Sequence, residues 1–357
     1  MGGFKFCKVC GVPVHIGKDQ SWNSDGTITQ RRDPDHRMLF FDSEGLDVLF
    51  RNIEGLIGIP IENMVIESKA RAAETYIRHL LRGPKGPLAR LIGIGRIVGR
   101  VVEQGRVMGY GDIKVVEFNW SESRMICEIR DPYSLPLFCG DLKGANQAIR
   151  KVAGTISYEE VEPGFYRIVN YNAPHAPELQ ERLMPKPLPR KPGDITFDMC
   201  PGCRVPRDIS RFKWDIDRGT VIHEPTGVRH AIFGSTGLQV IFDELEAELG
   251  ESIPETVIEA QRMHMESRMD GRWSSLGVDD LRNWLAVQGL GNLVTARRDE
   301  EGMYARVENP AVPLILTGTA TALYQFLTGR KGETTWKLSP DGDLEIWIKA
   351  AQEHRGA

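Results

Sequence analysis

The chain lacks two features that would direct it to a membrane or to nucleic acid. No run of about 18 or more apolar residues is present, so we expect no membrane-spanning helix. An excess of positive charge is also missing, because 45 Lys and Arg face 49 Asp and Glu and the pI is near 6.1. The net charge of −4 gives no broad attraction to nucleic acid or anionic lipid, so we expect neither as a partner.

Recognised catalytic motifs are missing too. The sequence contains no phosphate-binding GxxxxGK[ST] loop, no GxSxG nucleophile elbow and no HExxH zinc motif. The first residues, MGGFKFC, hold no apolar core of the secretory type, which predicts a cytoplasmic protein. In that reducing compartment, closely spaced cysteines are metal ligands more often than disulfides.

What the chain does have is an internal repeat. Cys7-Lys8-Val9-Cys10 recurs 193 residues later as Cys200-Pro201-Gly202-Cys203. Further matches follow in the same order: Trp22 with Trp214, Arg37 with Arg229, Glu67 with Glu259, Glu74 with Glu266, Pro132 with Pro310, and Gly140 with Gly318. Ordered matches over this length indicate a duplicated unit. We therefore predict two tandem pseudo-symmetric units, residues 1–171 and 195–357.

The segment between the units, residues 172–194, contains six prolines and few apolar residues. Such a composition cannot form a packed core and is typical of an extended linker. At roughly 3 Å per residue it could reach tens of ångströms, so the two units could pair as a homodimer fused into one chain does.

The composition, 41% hydrophobic and 26% charged, is that of a globular protein, and the periodicity within each unit predicts an α+β fold. Each CxxC opens a small β-rich knuckle, after which helices and antiparallel hairpins alternate. In the first unit we predict helices over 46–57, 65–81, 88–107 and 140–152, and strands over 113–119, 124–130, 155–161 and 165–169.

The second part of the first unit resembles the vinyl-reductase domain family, named for the 4-vinyl reductase proteins of bacteriochlorophyll synthesis. The resemblance lies in residues 131–144 (DPYSLPLFCGDLKG) and in the final hairpin, which includes residues 165–169 (FYRIV). It implies an α+β fold that binds small molecules, found in sensors of aromatic compounds and in accessory proteins of ring-modifying pathways. The family's hairpin cysteines are absent here, where Val161 and Phe165 stand, so no metal site of that kind is expected.

The four paired cysteines are the main candidate metal ligands. Each CxxC presents two thiolates on one tight turn, at the separation that a tetrahedral Zn²⁺ needs. Cys7, Cys10, Cys200 and Cys203 could hold one shared ion that clamps the two units. A first alternative is two separate sites completed by other side chains, for which the candidates are His15, Asp208, His36, His223 and His230. A second alternative is free or redox-active thiols.

Four further residues are candidate ligand contacts. Glu67 and Glu259 stand at matching helical positions, and a salt bridge or a pair on the helix surface is their first interpretation. The second is a pocket between the helices and the sheet, which could raise the pKa of a carboxyl there. Packing of the knuckles is the first interpretation of Trp22 and Trp214, and a wall of a pocket for a flat ligand is the second. Cys127 and Cys139 have no cysteine counterpart in the second unit, and we expect them to be small buried apolar residues.

These observations favour a zinc-stapled protein that binds a hydrophobic or aromatic small molecule, as a sensor or accessory protein. One alternative is an enzyme that acts on an aromatic or conjugated substrate in a catabolic or pigment pathway, with one unit active. Another is a nucleic-acid-binding zinc ribbon, which the net charge opposes. A partner protein or further homodimerisation is also compatible with the sequence, which does not identify catalytic residues.

Overall fold

The computed structural model describes residues 4–80, 94–119, 124–172 and 190–351. For description, the first half is residues 4–172 and the second half is residues 190–351. The fold is α+β with three antiparallel sheets among the described residues, which confirms the predicted fold class. No helix in the described ranges is long and apolar enough to cross a membrane.

The first half follows the predicted element order. Its helices are α1 (Val14–Asp19), α2 (Ser43–Ile57), α3 (Glu62–Leu80), α4 (Ile94–Val107) and α5 (Leu135–Arg150). Its strands are β1 (Gln20–Trp22), β2 (Ile28–Gln30), β3 (Asp33–Asp42), β4 (Asp112–Asn119), β5 (Arg124–Arg130), β6 (Gly154–Glu162) and β7 (Phe165–Asn172). The predicted start of α4, residues 88–93, lies outside the described residues.

Two elements of the first half differ from the prediction. The short α1 directly after the knuckle was not predicted. The helix expected from residue 140 begins at Leu135 instead, because Pro136 lies in its first turn. Proline suits that position, since its fixed φ matches the helix and the first backbone N–H groups have no helical partner.

The second half repeats this order, except that a 3₁₀ helix takes the place of α1. Its strands are β8 (Phe212–Asp215), β9 (Thr220–His223), β10 (Arg229–Gly234), β11 (Asn292–Arg298), β12 (Gly302–Glu308), β13 (Gly332–Leu338) and β14 (Leu344–Ala350). Its helices are α6 (Ser235–Leu249), α7 (Ile253–Arg268), α8 (Val278–Val287) and α9 (Pro313–Thr328). Short 3₁₀ helices cover Arg207–Arg211 and Trp273–Ser275.

A six-stranded sheet joins the two halves. Its strand order is β1-β2-β3-β10-β9-β8, so each half contributes three strands and the halves meet where β3 pairs with β10. Each half also has a four-stranded sheet of its own, in the orders β4-β5-β7-β6 and β11-β12-β14-β13. These are called the first and second outer sheets below. Backbone hydrogen bonds between β3 and β10 therefore connect the halves directly.

The helices pack both within and between the halves. Helix α3 packs against α5 and α7 against α9, whereas α2 packs on α7 and α3 on α6 across the junction. Close approach inside each half requires glycine: a Cβ at Gly140 would lie 2.9 Å from the Ile66 carbonyl oxygen, and one at Gly318 would lie 2.5 Å from that of Ile258. The matched glycines explain why these helix pairs can pack backbone to backbone.

Two apolar cores result. The larger lies among the helices and the two outer sheets. The smaller lies beneath the two CxxC turns, called the knuckles below. It contains Phe40, Ile232, Trp22, Trp214 and three of the paired cysteines as buried members. The knuckles of both halves thus share one core.

The part of the predicted linker that the structure describes is held against the protein. Arg190 donates to the Asp25 carboxylate at 2.7 Å, and Lys191 forms an ion pair with Asp343 at 2.7 Å. The backbone N–H of Ile195 donates to the Ser24 carbonyl. Residues 173–189 lie outside the described residues.

Candidate metal centre

Each CxxC lies on a tight hairpin. In the first hairpin, Phe6 forms an isolated antiparallel β-bridge with Pro13, and the Cys7 N–H donates to the Val12 carbonyl at 2.8 Å. In the second, Met199 bridges Pro206 and the Cys200 N–H donates to Val205, also at 2.8 Å. The turn needs a left-handed residue after the second cysteine, and Gly11 (φ 74°) and Arg204 (φ 60°) supply it.

The two hairpins bring the four sulfurs together. The Sγ atoms of Cys7 and Cys200 lie 3.8 Å apart, those of Cys10 and Cys203 lie 3.3 Å apart, and all four lie within 4.8 Å of one another. A disulfide needs about 2.05 Å, so these are free thiols. Zinc–sulfur bonds of about 2.3 Å in a tetrahedron separate the sulfurs by roughly 3.8 Å. The group, called the cysteine cluster below, has the size of a tetrathiolate site.

The surroundings of the cysteine cluster shift the pKa values of its thiols in different directions. Hydrogen bonding from the Val9 backbone lowers the pKa of Cys7 to about 7 against the opposing effect of burial. Burial raises the pKa of Cys10 and of Cys203. Four thiolates this close repel one another. The positive charge of a bound divalent cation offsets that repulsion, so that coordinated thiols lose their protons. The donor set therefore fits a metal chemically as well as geometrically.

The side chains named for separate sites do not join the cysteine cluster. His15 is exposed and packs edge-on to Phe4, and Asp208 accepts a hydrogen bond from Asn283. His36 stacks on Tyr76, while His223 and His230 lie near Phe212. Among the described residues, the cysteine cluster is the one group of three or more metal-capable side chains. The geometry therefore favours one shared ion over two separate sites.

Trp22 and Trp214 lie in the core beneath the knuckles. Trp22 Nε1 donates to the Val287 carbonyl at 2.9 Å, and Trp214 Nε1 donates to the Val107 carbonyl at 3.1 Å. Each valine is the last residue of its helix and belongs to the other half of the chain. The two tryptophans thus tie each knuckle to the opposite half, and their use as pocket walls remains a prediction.

Glu67 and Glu259 lie on helix surfaces with about half of each side chain exposed. Glu67 forms an ion pair with the buried Lys143, and Glu259 forms one with Arg262 at 2.7 Å. The structure therefore does not bring the two glutamates together with the two tryptophans. Their predicted contact with a ligand remains untested.

Cys127 and Cys139 are fully buried, as expected of small apolar residues. Burial raises the pKa of Cys127 to about 12 and raises that of Cys139 further. A thiol that stays protonated is a poor nucleophile, so neither side chain is set up for covalent chemistry.

A buried polar cluster in the first half was not found from the sequence. Lys69 Nζ lies 3.0 Å from Asp141 Oδ1, and the Tyr133 hydroxyl donates to Asp141 Oδ2 at 2.7 Å. At the corresponding place in the second half, Gln261 donates to Thr319 at 3.1 Å. The signal that could have revealed it is the alignment of the two proposed repeats, in which Gln and Thr of the second replace Lys and Asp of the first.

Comparison with known proteins adds no relative: no protein-family model, no curated protein and no solved structure matches this chain.

Proposed function

We propose that the chain is two tandem copies of one unit, residues 1–171 and 195–357, joined by the linker 172–194. The support is the reciprocal bonding of matched residues. Trp22 and Trp214 each donate to the helix end of the opposite half. A duplicated and fused dimer would make each such contact twice, once in each direction.

We further propose that the cysteine cluster binds one Zn²⁺. The observation that carries this proposal is the approach of four free thiols to within 4.8 Å of one another. An all-sulfur tetrahedral set favours zinc over hard cations such as Mg²⁺ and Ca²⁺. With four protein ligands no coordination position is left open for a substrate, so the ion has a structural role.

The structural role is to clamp the two knuckles. Each knuckle supplies two ligands, so neither half completes the site alone. The free energy of zinc binding to such sites, on the order of 10 kcal/mol, becomes folding free energy because the unfolded chain has no preformed site. The ion would therefore hold together the six-stranded sheet and the core beneath it.

The biochemical function we propose is binding of a hydrophobic or aromatic small molecule, as a sensor or accessory protein related to the vinyl-reductase domains. In support, residues 131–144 form the turn and first part of α5, which packs on α3 beside the first outer sheet. The resemblance implies an α+β fold, and this arrangement is compatible with it. The closed coordination of the cysteine cluster also argues for a metal that supports the fold and takes no part in chemistry.

The alternative of an enzyme with one active unit is favoured by one observation. In the first half the partly buried Asp141 contacts the buried Lys69 and Tyr133, whereas the second half has Gln261 and Thr319 there. Buried ionisable groups are costly and cluster at functional sites. If the chain is an enzyme, this asymmetry assigns the chemistry to the first unit.

Metal analysis tests the zinc proposal. Protein purified without chelator or metal-affinity resin should contain one zinc per chain, with four thiols masked until a chelator is added. Cys200→Ser should abolish the zinc. Cys127→Ala is the matched control, because Ala305 stands at the corresponding strand position, and it should retain one zinc. A metal-free protein with four reactive thiols at the cysteine cluster would refute the proposal.

The ligand proposal has its own test. Thermal unfolding of the zinc-loaded protein is followed with a panel of uncharged aromatic compounds of one and two rings. Saturable stabilisation supports a binding protein, since a ligand that binds the folded state alone raises the unfolding temperature. The absence of any shift across the panel would eliminate this function while leaving the zinc proposal intact.

A further inference from the structure

A cleft of about 370 Å³ opens between α1 and α4, beside the first knuckle. Its volume lies near the lower end of the range for small-molecule sites, roughly 300–1,000 Å³. It is separate from the cysteine cluster and from the four residues proposed above as ligand contacts.

One residue that lines the cleft has an unmet hydrogen-bond acceptor. Gln20, the first residue of β1, lines the cleft and is 1% exposed. Its Oε1 atom is buried and accepts no hydrogen bond. A buried amide oxygen without a donor is unfavourable, so a bound group that carries N–H would stabilise this site.

Charged side chains of both signs line the cleft as well. Asp19 and Glu103 line the cleft together with Arg32 and Arg100. Within the part of the chain that the structure describes, none of these four side chains forms an ion pair. Guanidinium groups bind carboxylates in a bidentate manner, and carboxylates bind ammonium groups. The cleft can therefore accept both ends of a zwitterion.

Part of the remaining wall is apolar, beside the polar His15 and Gln104. Phe4, Val107 and Met108 line the cleft, and the last two are buried in the core beneath the knuckles. Burial of an apolar group against them is favourable in proportion to the area removed from water. The ligand should therefore carry an apolar side chain in addition to its two charges.

The second half has an aromatic residue at the position that corresponds to Gln20. Phe212 begins β8 two residues before Trp214, as Gln20 begins β1 two residues before Trp22. The Phe212 ring packs against Phe40 at 4.5 Å and His230 at 4.9 Å between ring centroids. The second half therefore has an aromatic ring at the position where the first half has a buried amide whose oxygen accepts no hydrogen bond.

We propose that the cleft between α1 and α4 binds a small zwitterion with an apolar side chain, an amino acid of the leucine, methionine or phenylalanine type. Arg32 and Arg100 hold the carboxylate. Asp19, Glu103 and the Gln20 amide oxygen hold the ammonium group, and the apolar wall receives the side chain. This site is distinct from the aromatic-ligand function proposed above and does not depend on it.

Calorimetric titration of the full-length, metal-loaded protein tests the proposal. The probes are L-leucine, L-methionine and L-phenylalanine, with 2-phenylethylamine and 3-phenylpropionate as analogues that carry one charge each. At least one amino acid should bind saturably, and each one-charge analogue should bind about tenfold more weakly than L-phenylalanine, because one charged contact set is lost. Failure of all three amino acids to bind, or equal binding of the one-charge analogues, would overturn it.

Variants separate the two charged ends. Arg100→Ala should weaken binding of L-phenylalanine and 3-phenylpropionate but leave that of 2-phenylethylamine unchanged. Glu103→Gln should weaken binding of L-phenylalanine and 2-phenylethylamine but leave that of 3-phenylpropionate unchanged. The exposed Arg298 and Glu255, which lie outside the cleft, give the controls Arg298→Ala and Glu255→Gln. Equal weakening by the controls would contradict the assignment.

Gln20→Phe places in the first half the residue that the second half uses, and it should abolish binding by filling the cleft. Because position 20 is buried, the folding of Gln20→Phe is checked by circular dichroism and by zinc content. Arg100→Ala and Glu103→Gln, at exposed positions, give the answer if Gln20→Phe misfolds. Zinc content measured on every variant also distinguishes failure of this site from failure of the proposed metal centre.

Discussion

Phe40 of β3 lies directly opposite Ile232 of β10, at the centre of the antiparallel pair that joins the two halves. On either side, Met38 pairs with Gly234 and Asp42 with His230. Phe40 and Ile232 are 192 residues apart, which is the offset that relates Trp22 to Trp214 in the sequence. In the proposed repeat, the pseudo-twofold axis therefore passes through this residue pair.

If one metal ion is shared by the two CxxC pairs, variants that remove one pair should lose all bound zinc. The double variant Cys7→Ser/Cys10→Ser should contain no zinc, because Cys200 and Cys203 alone offer two ligands and a structural site needs four. The free energy of unfolding should fall by an amount on the order of 10 kcal/mol at most, the value of the whole site. Retention of one zinc by this variant, measured by mass spectrometry of the metal, would instead establish separate sites.

Arg37 should be essential to the junction of the halves. It is buried and donates to the backbone carbonyls of Asn309 at 2.6 Å and Pro310 at 3.2 Å, both from the other half. Arg37→Met leaves these carbonyls without a donor, so we expect a loss of about 3 kcal/mol in urea unfolding. Arg229→Met should behave similarly, whereas the exposed Arg298→Met should change stability little.

Stability should fall between pH 6.5 and pH 4 because of His230. Burial lowers the pKa of this side chain to about 4, below the ordinary value of 6.5. Between those values the unfolded chain binds the proton and the folded chain does not, so stability rises with pH and is complete above 6.5. A shift of this size corresponds to about 3 kcal/mol.

The matched variant for that prediction is His230→Met, since Met38 occupies the corresponding position in the first half. Urea unfolding at several pH values should show a shallower slope for His230→Met than for the wild type. The exposed His15→Gln should keep the wild-type slope. An unchanged slope in His230→Met would assign the pH dependence to other groups, of which His36 is the next, because burial lowers its pKa to about 4 as well.

Removing one partner of the Lys69–Asp141 ion pair should destabilise the protein, whereas replacing both partners should change its stability little. Lys69→Met leaves the Asp141 carboxylate with Tyr133 alone, and we expect a loss of about 3 kcal/mol, as for other buried ion pairs. The double variant Lys69→Gln/Asp141→Thr copies the Gln261–Thr319 bond of the second half and should recover most of that stability. If the double variant is less stable than Lys69→Met, the pair is not a structural equivalent of its counterpart.

The same variants address function. A structural ion pair predicts that Lys69→Gln/Asp141→Thr leaves ligand-induced thermal shifts unchanged. A loss of ligand response in a variant that unfolds at the wild-type urea concentration would favour the enzyme alternative, in which the first unit carries the polar groups. Urea midpoints and ligand shifts measured on the same samples separate the two outcomes.

The order of elements in the first half was predictable because each element carries a local signal. Helix α2 shows apolar residues at spacings of three and four, and the hairpin of β6 and β7 has the Pro163-Gly164 turn between alternating strands. Such signals depend on residues that are close in the chain. They also identified the four cysteines, since the CxxC spacing by itself places two thiolates on one turn.

The burial of Lys69 and the unmet acceptor of Gln20 were not predictable in this way. Lysine on a helix is ordinarily exposed, and here it is buried because Gly140 and Gly237 leave space for its side chain. Gln20 is buried by strand pairing and by the adjacent helices. Both depend on neighbours that are distant in the chain.

The sequence by itself thus determined the α+β class, the duplicated pattern of residues and the identity of the four candidate ligands, because periodicity and spacing are local properties. Only the tertiary structure decided that the two CxxC hairpins meet, since the distance between sulfurs 193 residues apart depends on the pairing of β3 with β10. The cleft was decided in the same way. Its lining comes from segments about eighty residues apart, which only the packed fold brings into contact.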